Sequence, residues 1–121
     1  MDKELLGDYG EIIATRYLLC HGYIILTTNF NQRLGEIDII AEDQKYVCFV
    51  EVKTRSENAF YAPSDAVDAA KRERIIATSQ MFLKDYDMVR QPRYDIIEVY
   101  FNGDEPERLN HIENAFDFYG K

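Results

Sequence analysis

Three carboxylates and a lysine stand in a stretch of chain that otherwise has the composition of buried β-strands. The stretch is GEIDIIAEDQKYVCFVEVKTR, residues 35–55, and it contains Glu36, Asp38, Glu51 and Lys53. Carboxylate oxygens are the ligands that Mg²⁺ and Mn²⁺ prefer. A metal held by carboxylates beside a lysine can activate water and offset the negative charge that develops during hydrolysis of a phosphodiester. The residue types therefore point to a hydrolytic metal site.

The charged residues share one face of a predicted hairpin. Strands are predicted at 35–42 and 45–54, on either side of a short polar turn. Because side chains alternate between the two faces of a strand, Asp38, Glu51 and Lys53 project to the same face. The other face carries only apolar side chains, which indicates that it packs against the rest of the protein.

The register of this hairpin decides whether the carboxylates meet. If Glu42 faces Lys45 across the turn, Glu36 faces Glu51 and Asp38 becomes a diagonal neighbour of Glu51. Carboxylates that converge beside buried strands repel each other and lose hydration, which a cation or a proton must compensate. This register predicts a metal site. The alternative is a solvated face of an edge hairpin, in which glutamate–lysine pairs contribute little.

The rest of the chain supplies the elements of an α/β fold. Helical spacing of apolar residues predicts a first helix from Lys3 to Cys20, and a second helix follows Pro63 with Ser64 or Asp65 as its N-cap. Further strands are predicted at 23–28, 93–101 and 108–116. The order α-β-β-β-α-β-(β) favours an α/β fold with a mixed β-sheet flanked by helices, formed as a single domain over 1–121.

Composition limits the cellular setting and the partners. The chain has 121 residues, and no apolar run approaches the roughly 18–20 residues of a membrane span. Without a secretory signal, Cys20 and Cys48 are predicted to be buried free thiols in a cytoplasmic protein. The net charge of −8 disfavours a nucleic-acid partner, although a carboxylate metal site also counts as negative until its cation binds.

The ordered series of these segments resembles a known family. Asp38 followed by Glu51-Val52-Lys53 looks like the motif of the PD-(D/E)XK nuclease superfamily. More narrowly, GEIDII and FVEVKTR, preceded by YGEIIATRYLLCHGY and followed by AVDAAKRERI, RYDIIEVYF and HIENAF, are similar to the YraN-like family of small bacterial proteins. The resemblance covers nearly the whole chain, and the series of segments is much more specific than the short motif.

The resemblance implies a restriction-endonuclease-like core related to archaeal Holliday-junction resolvases. It also implies a Mg²⁺ or Mn²⁺ site in which Asp38 and Glu51 are metal ligands and Lys53 is the catalytic lysine. Glu11, in the YGE segment of the first helix, matches the acidic residue that such folds bring beside the site as a further ligand. Nuclease activity is implied at the level of the superfamily.

Three basic residues are candidates for contacts with nucleic-acid phosphates. Arg55 closely follows the lysine of the second hairpin strand, and Lys71 and Arg74 lie about one turn apart in the second helix. The alternative for the helix pair is a solvated face. Glu36 and Thr54 would support the metal site from nearby, or Glu36 would belong to a second metal; the alternatives are a surface charge and an ordinary strand end.

A second charged pair lies on the strand at 93–101. Arg93 and Asp95 are two residues apart and therefore share a face, where they form either a structural ion pair or part of a functional site. His111 is predicted to be structural. His21, before Gly22, is predicted to lie at the C-terminus of the first helix and to interact with its dipole.

Taken together, the sequence predicts a metal-dependent endonuclease that acts on nucleic acid, with DNA as the preferred substrate and no membrane partner. A homodimer would provide two sites for a two-stranded substrate. One alternative is a non-catalytic module that keeps the nuclease fold and binds nucleic acid or a protein. The other, a hydrolase of small phosphate esters, is disfavoured because no glycine-rich phosphate loop is present.

Overall fold

The protein is a mixed α/β structure with the predicted order of elements. The computed structural model describes residues 1–56, 67–86 and 90–117. In chain order the elements are α1 (Lys3–Cys20), β1 (Ile24–Gln32), β2 (Gly35–Glu42), β3 (Tyr46–Ser56), α2 (Ala69–Leu83), β4 (Gln91–Asn102) and β5 (Glu105–Phe116). The last strand, which the sequence indicates least clearly, is formed.

The five strands make one sheet in the order β1-β2-β3-β4-β5. The pairs β1/β2, β2/β3 and β4/β5 are antiparallel, and β3/β4 is parallel. The parallel pair is the one whose strands are separated in sequence by α2, as a crossover connection requires. Consequently β2 and β3 are interior strands, and the alternative of an edge hairpin is wrong.

Each face of the sheet is covered by one helix. On one face α1 packs through Gly10, Ala14 and Leu18, which recur every four residues and form its buried stripe. On the other face, Ile75 of α2 packs with Phe49 and other apolar residues of the sheet. Because both faces are covered, a charged residue on an interior strand is buried unless it lies near a strand end.

Several local predictions differ from the structure. Strand β1 extends beyond 23–28 because its polar second half pairs with β2 up to Gln32. The N-cap of α2 is Asp68, whose side chain accepts a hydrogen bond from Lys71 N at 2.8 Å. The predicted N-cap residues Ser64 and Asp65 lie outside the described residues.

Cys48 is buried as predicted, but Cys20 is exposed because it lies away from the buried stripe of α1. Within the described ranges, no helix is long and apolar enough to cross a membrane.

Candidate functional site

The turn between β2 and β3 sets a register different from the predicted one. Glu42 pairs with Val47, not with Lys45, so the predicted register, with Glu36 opposite Glu51, is wrong by two residues. The reason is an aspartate-closed turn: Asp43 Oδ1 accepts hydrogen bonds from Lys45 N at 2.8 Å and from the next amide at 2.7 Å. Since the shift is an even number of residues, the side chains keep their faces.

The ladder between β2 and β3 stops just before the charged end of the hairpin. Its last pair is Ile39 with Val50. Beyond that pair, Asp38 Oδ2 accepts a hydrogen bond from Val52 N at 2.8 Å, so a side chain replaces the next backbone contact. Ile37 departs from the predicted alternation, because it packs in the cluster on the α2 face. This local opening of the strands gives the carboxylate of Asp38 a fixed position against β3.

The carboxylate of Glu51 lies between two ammonium groups. Glu51 is 6% exposed. Its Oε2 atom lies 3.8 Å from Lys53 Nζ and forms a shorter ion pair with Lys71 Nζ. Lys71 reaches the site from the first turn of α2, whose start is fixed by the N-cap Asp68. The sequence predicts the first of these pairs through strand alternation, whereas the second depends on how α2 docks on the sheet.

The carboxylates of Asp38 and Glu51 repel each other. Burial, followed by the charge of Glu51, raises the pKa of Asp38 to about 8, although the Val52 amide opposes this shift. Burial and the neighbouring Lys71 lower the pKa of Lys53. Burial also disfavours the charged form of Lys71, but Glu51 more than offsets this and raises the pKa of Lys71. The two ammonium groups therefore pair with Glu51, while the pKa of Asp38 stays raised.

Glu11 approaches the same region from α1. The helix comes so close to β3 that a Cβ atom at Gly10 would overlap Thr54 Cγ2, which requires glycine there. Glu11 is partly buried, and burial followed by the charges of Asp8, Glu36 and Glu51 raises its pKa. Glu11 is thus within electrostatic reach of Asp38 and Glu51, the two other predicted ligands.

The donor set formed by Asp38 and Glu51 fits a hard divalent cation. Both side chains offer oxygen atoms, and a bound cation would oppose the burial and the Glu51 charge that raise the pKa of Asp38. In the described part of the chain, no three His, Cys, Asp or Glu side chains are grouped closely enough to hold a metal together. Two carboxylates suffice for Mg²⁺, which usually keeps several waters and takes substrate oxygens as further ligands.

The three basic residues that were predicted to contact nucleic-acid phosphates lie in different surroundings. Arg55 Nε lies 3.4 Å from Glu98 Oε2, so its charge is partly compensated within the sheet. Lys71 belongs to the carboxylate cluster. Arg74 is exposed on α2, and its Cβ lies against Gly35 at the start of β2. Glu36 is exposed on β2, and its charge reaches Glu11. Only Arg74 of the three basic residues has no interaction with an acidic residue among the described contacts.

A second buried polar cluster lies on the α1 face of the sheet, around Asp95. Arg93 donates two hydrogen bonds to Asp95, at 2.9 and 2.8 Å, which confirms the predicted ion pair. His111 Nε2 lies 2.7 Å from Asp95 Oδ2, and its Nδ1 is hydrogen-bonded to the Tyr17 hydroxyl at 3.0 Å. His111 is thus structural, as predicted. His21 is the C-cap residue of α1 and hydrogen-bonds Tyr17 O, also as predicted.

Comparison with known proteins yields one family. The model of the uncharacterised protein family UPF0102 matches residues 10–99. The chain is 44% identical to a UPF0102 protein of Caldanaerobacter subterraneus subsp. tengcongensis over 119 residues, which are 96% of this chain and 98% of that relative. It is 41% identical to a UPF0102 protein of Clostridioides difficile, covering 96% of this chain and 100% of the relative. A UPF0102 protein of Caldicellulosiruptor bescii is 39% identical, with 96% and 100% covered.

Proposed function

The chain belongs to the uncharacterised protein family UPF0102, and we propose that it is a metal-dependent endonuclease that hydrolyses phosphodiester bonds in DNA. One observation carries the proposal: Asp38 and Glu51 converge on neighbouring interior strands, with Lys53 beside Glu51. The resemblance to the PD-(D/E)XK superfamily supports it, because the same three residues match the motif of that superfamily.

In this proposal Asp38 and Glu51 hold a Mg²⁺ or Mn²⁺ ion. When bound, such an ion activates water and stabilises negative charge on the phosphate. Glu11, which interacts electrostatically with Glu51, would orient a water ligand of the ion. The two strand carboxylates are held by the sheet, so the ligand geometry is fixed before substrate binds.

In this proposal Lys53 orients the attacking water or stabilises the negative charge that develops on the scissile phosphate. Its ammonium lies 3.8 Å from Glu51, and burial lowers its pKa, which brings proton exchange closer to neutral pH. Lys71 shares the same Glu51 oxygen. A cation bound to Glu51 would weaken that ion pair, and the ammonium of Lys71 would then be available to a phosphate oxygen.

The substrate would be held by few basic residues. Arg74 is exposed beside the hairpin, and Arg55 and Lys71 could exchange an internal acidic partner for phosphate. With a net charge of −8, the protein has little general attraction for DNA. We therefore expect binding that depends on the metal and on local DNA structure. The free thiols Cys20 and Cys48 are consistent with activity in the reducing cytoplasm.

A non-catalytic binding module is the second candidate. It is favoured by the ion pair of Lys71 with Glu51, which compensates one carboxylate without any metal. In that case the fold would bind nucleic acid or a protein, and divalent cations would have no effect on it. Metal dependence of any activity therefore separates the two candidates.

The test is cleavage of defined DNA substrates. Purified protein with Mg²⁺ or Mn²⁺ is incubated with plasmid, linear, single-stranded and branched DNA. We expect cleavage that falls by at least about 100-fold in Glu51→Gln and Lys53→Met, since each change removes a group that acts on the transition state. Glu113→Gln, an exposed change on the other face, is the matched control. Absence of cleavage, or equal cleavage by all variants, contradicts the proposal.

A further inference from the structure

Helix α1 exposes an apolar stripe opposite its buried stripe. Leu5, Ile12 and Leu19 are 54%, 52% and 53% exposed. They are spaced by seven residues, which places them on one side of the helix. The buried stripe centred on Ala14 lies on the opposite side. A row of large exposed aliphatic side chains on one side of a helix marks a candidate interaction surface.

The charged residues of this stripe are arranged symmetrically about Ile12. Asp8 lies four residues before Ile12, and Arg16 lies four residues after it. Both are exposed, and neither forms an ion pair with another residue of the described ranges. Leu5 and Leu19 extend the same symmetry, because each is seven residues from Ile12. Reversing the direction of the helix therefore exchanges leucine with leucine and acid with base.

We propose that two copies of this chain form a homodimer by pairing their α1 helices in antiparallel orientation about a twofold axis at Ile12. A twofold interface needs a surface that complements itself. In this arrangement Ile12 meets Ile12 of the partner subunit, and Leu5 meets Leu19 of the partner subunit. Asp8 meets Arg16 of the partner subunit, and the twofold axis repeats this ion pair. The charge pattern thus selects a second copy over an unrelated partner.

A single helix pair makes a small interface. The helix has 18 residues and is therefore about 27 Å long. Such an interface lies at the lower end of specific contacts, so we expect a dimer that dissociates in the micromolar range, on the order of 10 μM. Ile12 also lines, with Asp8 and Glu11, a cavity of about 390 Å³ between α1 and β1. The dimer would thus bring the two Glu11 regions near one axis, although the dimer itself does not depend on the proposed function.

Sedimentation velocity over a range of protein concentrations tests the interface. The wild type should change from 14.2 kDa to twice that mass as concentration rises. Ile12→Glu should remain monomeric, because it would place two carboxylates against each other at the axis. Leu34→Glu is the matched control, since Leu34 is 50% exposed but lies outside α1. A monomer at every concentration, or a dimer that Ile12→Glu leaves unchanged, overturns the proposal.

Charge exchange tests the pairing itself. Asp8→Arg and Arg16→Asp should each weaken the dimer by at least about tenfold, because each places like charges opposite each other twice. The double variant Asp8→Arg/Arg16→Asp should restore it. If the double variant is as weak as the single ones, the ion pairs are not those proposed.

Cross-linking tests the antiparallel direction independently of stability. In a Cys20→Ser background, Leu5→Cys chains are mixed with Leu19→Cys chains and oxidised. A mixed disulfide should form in excess over disulfides between identical chains, because Leu5 faces Leu19 of the partner subunit. Preferential linking of identical chains would indicate a parallel pair and overturn the proposal.

Discussion

One sheet holds the same side chain in two different ways, at Asp95, which is buried, and at Asp38, which is half-buried. Asp95 on β4 accepts hydrogen bonds from Arg93, His111 and the Asn114 amide. Asp38 on β2 accepts one from a backbone amide and faces Glu51. Burial alone would raise both pKa values. The hydrogen bonds lower the pKa of Asp95 overall, whereas Glu51 helps to raise that of Asp38 to about 8. A carboxylate that the fold compensates is structural, and one that it leaves uncompensated suits a cation.

The largest loss of stability is expected on substitution of Asp95. Asp95→Asn should lower the free energy of unfolding by about 3–5 kcal/mol, because it leaves the buried guanidinium of Arg93 without its buried counter-charge. Urea denaturation measures the change. Glu113→Gln is the control, since Glu113 is a 60% exposed partner of the same arginine and its loss should cost less than about 1 kcal/mol. Equal small losses in both variants would contradict the structural role of Asp95.

The next largest loss of stability is expected in α1, the helix that contacts both the Asp95 cluster and the candidate site. Through Tyr17, α1 contacts His111 beside Asp95, and through Glu11 it reaches the candidate site. Gly10→Ala should destabilise the fold by about 1–3 kcal/mol, because the added methyl group overlaps Thr54. Gly7→Ala is the matched control: nothing lies within 4 Å of the added atom, so helix propensity should raise stability by up to about 1 kcal/mol. Thermal denaturation of both variants distinguishes the two outcomes.

Substitution of Asp38 should have a smaller effect, which is an increase in stability. Asp38→Asn keeps an oxygen for the Val52 amide and removes the repulsion with Glu51. Without divalent ions and at about pH 5, where the folded wild type holds the Asp38 proton, its free energy of unfolding should equal that of the wild type or exceed it by up to about 1 kcal/mol. The same denaturation in EDTA measures it. A loss comparable to that of Asp95→Asn would mean that the two aspartates are alike.

The last effect is a dependence of stability on pH, which grows as the folded wild type loses the Asp38 proton. The folded protein holds the Asp38 proton up to about pH 8, whereas an unfolded aspartate loses it near about pH 4. The folded state therefore binds more protons between these values, and this group lowers stability as pH rises through them. The stability of Asp38→Asn relative to wild type should grow from about pH 5 to about pH 8.5 in EDTA. A constant difference would show that the pKa of Asp38 is not raised.

Much of the fold follows from local patterns in the sequence. The bounds of α1 and β2 coincide with the predicted ones, because Gly22 follows the helix and a short polar turn follows the strand. The pair Arg93–Asp95 could be predicted because residues two apart on a strand share a face. The register of β2 and β3 could not, because it depends on the hydrogen bonds that Asp43 makes in the turn.

The candidate site was predictable only in its strand residues. Alternation places Glu51 and Lys53 on one face, and an even error in register leaves that result unchanged. The ion pair of Lys71 with Glu51 depends on the docking of α2, which no local pattern encodes. The three hydrogen-bonding partners of Asp95 come from β4 and β5, so only the nearest, Arg93, is visible in the sequence.

The most direct test of the central claim is calorimetric titration of Mn²⁺ into the wild type and into Asp38→Asn, with Glu113→Gln as the control. We expect about one Mn²⁺ per chain in the wild type and the control, since two carboxylates suffice for one such site. We expect loss of that binding in Asp38→Asn, although this variant remains folded. Equal binding in all three proteins, or no binding to the wild type at millimolar Mn²⁺, would contradict the claim that Asp38 and Glu51 form a cation site.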